Sequence, residues 1–99
     1  MDLSALPFTR AALHAAYASG LTPGAVAAEA LRRLAAAADP GIFLDVTPAA
    51  DLAATAAALP PFDPARFPLW GIPVAVKDNI AVAGRPMTAA CPAFAHTPA

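Results

Sequence analysis

Lysine occurs once in this 99-residue chain, at position 77, and cysteine once, at position 91. A single cysteine excludes an intrachain disulfide and suits a reducing compartment. Serine is confined to Ser4 and Ser19, and no Gly/Ser-rich stretch is present. No run of about 18 uncharged apolar residues escapes a proline or glycine break, so no transmembrane span is expected. The N-terminus, MDLSALPFTRAALHAAY, opens acidic and lacks the long apolar core of a signal peptide. Cytoplasm is the expected compartment. Basic clusters are missing too: Arg32–Arg33 is the largest positive feature and the formal net charge is -1. Neither nucleic acid nor a membrane is therefore expected as a partner. Gly-rich phosphate loops, G-x-S-x-G and H-E-x-x-H are absent, and His14 and His96 stand apart from other ligands. No metal and no cofactor are expected.

What is present is alanine. Hydrophobic residues make up 59% of the chain, but the large ones are few: five Phe, one Tyr, one Trp and scattered Leu, Ile and Val. Alanine favours helix yet buries little area. The length suits one small domain. Its core is expected to be too small to stand alone, so the chain leans on a partner or on further polypeptide.

The helix signals are local and clear. Thr9 is an N-cap for a helix over 9–19, Phe8 and Leu13 are spaced as a hydrophobic staple, and Gly20 sits at the C-cap. Thr22 caps a second helix with Pro23 at its first position. Val26, Ala30, Leu31 and Leu34 make its apolar stripe, while Glu29, Arg32 and Arg33 face away, with Glu29–Arg33 a surface pair. Asp39-Pro40-Gly41 ends it, and IFLDV follows, extended. Thr47-Pro48 repeats the cap-plus-proline signal before an alanine-rich helix from about Pro48 to Leu59. LPPFDPARFPLW carries four prolines in twelve residues and excludes regular structure. Beyond it IPVAVKDNI is the first β-branched run, with Val74–Val76 placed as a strand covered on both faces.

Lys77 stands at the end of that run. Spacing leaves two readings: a strand-end charge reaching solvent, or a lysine in a dry site where desolvation disfavours its charge and makes it a base. Asp78 and Asn79 either close a turn or support a site. Cys91, with no histidine near it in sequence, reads as a buried, inert thiol.

The stretch WGIPVAVKDNIAVAGRPMTAACPAF resembles the opening of the amidase signature family, and within it the allophanate hydrolases. Upstream, ALHAAYASGLTPGAVAAEALRRLAAAADPGIFL is similar to that family's helical lead-in. The resemblance covers nearly the whole chain. It implies an α/β fold (the amidase signature fold), represented here by the helical lead-in and the first sheet strand or strands. The implied organisation is a helical segment over 1–60, a Pro-rich linker over 61–70 and the start of the amidase core over 71–99. It further implies that Lys77 is the base of a Ser–cisSer–Lys triad, with Asp78 and Asn79 supporting the site. In such a triad neutral lysine deprotonates a bridging serine, which activates the nucleophilic serine for acyl transfer.

The serines of that triad lie well downstream of the lysine in the family, and Ser4 and Ser19 are in the wrong region. The expectation is an N-terminal piece of an amidohydrolase resembling allophanate hydrolase, inactive by itself. In a full-length relative the substrate would be a small amide or urea-derived compound, releasing ammonia and carbon dioxide. A general amidase or amidotransferase subunit is one alternative. A small non-catalytic helical docking protein, with Lys77 a relic, is the other. Ala81 and Met87 stand where the resemblance implies more polar residues, which predicts fewer hydrogen bonds around Lys77.

Overall fold

The structure, a computed structural model, describes residues 2–37, 39, 41 and 43–99. It divides into two compact units: Met1–Ala38 with Thr47–Pro73, and Asp39–Val46 with Val74–Ala99.

The first unit holds three α-helices, α1 (Arg10–Ala18), α2 (Pro23–Ala37) and α3 (Ala49–Ala57). α1 starts where the cap signal places it. The Thr9 side chain accepts the Ala12 N–H at 3.1 Å from an extended backbone. It ends in a Schellman turn: Leu21 N–H reaches the Ala16 carbonyl and Gly20 N–H the Tyr17 carbonyl, both at 3.0 Å. Gly20 takes φ +105 there, a left-handed conformation that a side chain would strain. Thr22 likewise accepts the Ala25 N–H at 3.2 Å and opens α2 with Pro23 at its first position. α3 departs from expectation. Its N-cap is Pro48, not Thr47, and gives no side-chain cap. Asp51 in the first turn complements the positive end of the helix dipole instead. The expected stop at Asp39-Pro40-Gly41 and the start of IFLDV include Pro40 and Ile42, which lie outside the described residues.

α2 packs against α3. The core is small, as the composition predicts. Leu13, Tyr17, Val26 and Trp70 are buried, and Leu6, Phe8, Leu21, Leu59, Phe62, Phe67 and Ile72 pack against them. The stretch LPPFDPARFPLW supplies four of these side chains, Leu59, Phe62, Phe67 and Trp70. Trp70 anchors it by donating its indole N–H to the Pro60 carbonyl at 2.8 Å.

Glu29 corrects the surface-pair reading. It is 7% exposed and takes both Arg32 Nε (2.6 Å) and Arg33 Nε (3.0 Å). Arg33 continues to the carbonyls of Leu3 (2.9 Å) and Leu6 (2.6 Å), and its guanidinium lies 3.9 Å from the Phe8 ring centroid. The pair therefore ties the N-terminal segment to α2. The Arg32 hydrogen bond, then that of Arg33, lowers the Glu29 carboxyl from its usual 4.5 to about 2, against the opposing effect of burial.

The expected α/β fold is not what forms. Among the described residues there are the three helices, a 3-10 turn at Pro92–Phe94 and one isolated antiparallel bridge between Met87 and His96, with no strand and no sheet. Val74 and Val76, placed as a strand covered on both faces, are 74% and 49% exposed. The physical reason is that β-branched residues favour a pleated surface only where a neighbouring strand and a packed face receive it.

Candidate functional site

The run from Gly71 to Ile80 begins in the first unit and continues in the second. Its start is gripped by α1. His14 Nε2 lies 3.0 Å from the Trp70 carbonyl, a contact that requires the hydrogen on Nε2. The Tyr17 hydroxyl donates to the next carbonyl, Gly71, at 2.5 Å. Both side chains lie on one face of α1, three residues apart. Tyr17 also meets Trp70 edge-on, with centroids 5.0 Å apart and planes at 86°. Gly71 takes φ +68, and a Cβ there would come within 2.7 Å of the Tyr17 ring. Only glycine fits this approach.

Lys77, Asp78 and Asn79 fall in the second unit. Ile80 N–H donates to the Lys77 carbonyl at 2.9 Å, closing a turn with Asp78 and Asn79 at its corner. The lysine and asparagine side chains are exposed, and Asp78 is half-buried. Val74 and Val76, which lead into the lysine, are themselves open to solvent.

Asp78 is the best-held group of this unit. Its carboxylate accepts the Thr88 N–H on both oxygens (3.1 and 3.2 Å) and the Thr88 hydroxyl on Oδ2. Its own carbonyl accepts the Ala89 N–H at 3.2 Å. These bonds, the Thr88 hydroxyl foremost, hold the Asp78 carboxyl below its ordinary range. Thr88 is the site residue that sequence reasoning missed. Ten positions from its partner and outside any periodic element, it carries no local signal. The expected shortage of hydrogen bonds near Ala81 and Met87 does not reach Asp78, because Thr88 supplies them.

Elsewhere in this unit Arg85 pairs with Asp45 at 2.5 Å, tying 43–46 to the loop before the bridge. Met87 and His96 exchange backbone bonds at 2.8 and 3.0 Å. Cys91 is exposed, which corrects the buried-thiol reading. No serine lies in this unit, by sequence. Ser4 and Ser19 belong to the first unit, where Ser4 N–H bonds Asp2 at 2.9 Å and Ser19 is the C-cap of α1. Among the described residues no group of three or more His, Cys, Asp or Glu side chains is placed to hold a metal ion. No described helix is long and apolar enough to cross a membrane.

The Amidase family pattern matches residues 25–99, and the chain belongs to this family. Two urea amidolyases share a shorter stretch at high identity. That of Saccharomyces cerevisiae is 66% identical over 32 residues, and that of Lachancea kluyveri 61% over 33 residues. These stretches are 32% and 33% of this chain, and about 2% of the length of each relative. No solved structure matches the chain.

Proposed function

We propose that these 99 residues are the lysine-bearing, helical part of an amide-bond hydrolase and that they do not hydrolyse an amide by themselves. One observation carries the reading: Lys77 sits on an exposed, anchored turn in a unit that contains no serine. A lysine acts as a base near neutral pH only when its surroundings disfavour its charge. Lys77 is exposed, and Val74 and Val76 before it are open to solvent. A longer polypeptide that supplied the two serines, and covered Val74 and Val76, would complete the relay and dry the lysine at once. The expected compartment for that chemistry is the cytoplasm, and the chemistry needs no cofactor.

The substrate class proposed is a small amide. A urea-derived carboxylate amide is the second reading, and what favours it is the high identity to the two urea amidolyases. In a parent chain that carries these residues and turns over an amide, Lys77→Ala is expected to abolish ammonia release while helical circular dichroism stays unchanged. Turnover retained in Lys77→Ala would remove Lys77 from the mechanism.

A further inference from the structure

We propose that Thr88 is a positioning residue for Lys77: its N–H and hydroxyl hold the Asp78 carboxylate and so fix the turn from which the lysine side chain leaves the backbone. The inference rests on the reading of Lys77 as a base and deepens it.

Three observations converge, all within the second unit. First, one carboxylate takes every donor that Thr88 has, backbone and side chain. Charge-assisted bonds of this kind are stronger than neutral ones and set direction as well as distance. Second, the Thr88 hydroxyl is itself oriented, because it accepts the Ala90 N–H at 3.2 Å while donating to Asp78. Such a chain polarises each bond in it. Third, Ala89 and Ala90 take φ 49 and 60, two consecutive left-handed alanines. Side chains rarely adopt this conformation, and it persists where surrounding contacts over-determine it. The reward is visible: it lets Ala89 N–H reach the Asp78 carbonyl while Ala90 N–H reaches the Thr88 hydroxyl. Strain on one side of the clasp thus buys a fixed Lys77–Ile80 turn on the other. That turn would otherwise rest on the single Ile80-to-Lys77 bond.

The test uses the 99-residue chain and nuclear magnetic resonance, and needs no turnover. Thr88→Val keeps the shape and removes the hydroxyl; Thr88→Ser keeps the hydroxyl. In Thr88→Val the hydrogen-exchange protection of the Ile80 amide is expected to fall about tenfold or more. The Asp78 carboxyl titration should move upward, and the dipolar couplings of the Lys77–Ile80 amides should collapse. Thr88→Ser should restore all three. Unchanged protection and titration in Thr88→Val, or no restoration in Thr88→Ser, overturns the proposal. Should Thr88→Val lose the circular dichroism of the helices, Asp78→Asn decides: Ile80 protection must fall there too, and its persistence overturns the proposal. Lys77→Ala is expected to leave every one of these readouts in place. Failure of the clasp is therefore distinct from failure of the lysine's proposed role, which turnover reads.

Discussion

Gly71 and Gly20 both hold positive φ, but their surroundings differ. A Cβ at Gly20 meets nothing within 4 Å, whereas at Gly71 it would strike the Tyr17 ring and hydroxyl at 2.7–2.9 Å. Gly20→Ala should therefore introduce only left-handed strain, costing about 1 kcal/mol. Gly71→Ala adds a steric clash and loss of the Tyr17 bond, and should cost about 2–4 kcal/mol. Urea unfolding followed by the fluorescence of Trp70 measures both, and equal losses would contradict the close approach. At this scale the sequence was partly legible. Lys77, Asp78 and Asn79 stood out by type and place, and a turn was one of the two readings of the Asp-Asn pair. The residues that hold them did not stand out. Tyr17 lies 54 positions from Gly71 and Thr88 ten from Asp78, and no propensity or period encodes such pairings. Glu29 was misread for the same reason: helical spacing gave its partner Arg33, but not the N-terminal segment that folds over both.

Helices were legible because their signals are local. Thr9, Gly20, Thr22 and Pro23 each act within one turn of where they stand, and each does so in the structure. Thr9→Ala should lower stability by about 0.5–2 kcal/mol, and thermal melts by circular dichroism check it. Thr47→Ala should change little, since Pro48 is the N-cap of α3. The strand was not legible in the same way. Val74, Ala75 and Val76 have the composition of a buried strand, but a strand is a property of a pair. Without a second chain segment beside it the run stays irregular and exposed.

For the whole molecule, the link between the N-terminal segment and α2 runs through Arg33, which Glu29 holds. Glu29 has a folded-state carboxyl near 2, lowered chiefly by Arg32 from 4.5. A depressed carboxyl contributes stability that is complete above its unfolded value and fades as protons bind. Stability of the first unit should hold above about pH 4.5 and drop between there and about 2. Glu29→Gln should flatten that acid limb, as followed by Trp70 fluorescence; an unchanged limb would put the linkage elsewhere. At this scale the family was legible from one long segment around GIPVAVKDNI, and the match over residues 25–99 places the chain in the Amidase family. The fold was not legible, because the segment that names the family is also the one whose regular structure needs a partner. The measurement that bears most directly on the whole account is ammonia release by the purified 99-residue chain, offered allophanate and simple amides in turn. No release above a buffer blank is predicted, since Lys77 is exposed and its unit contains no serine. Turnover that survives repurification would contradict it.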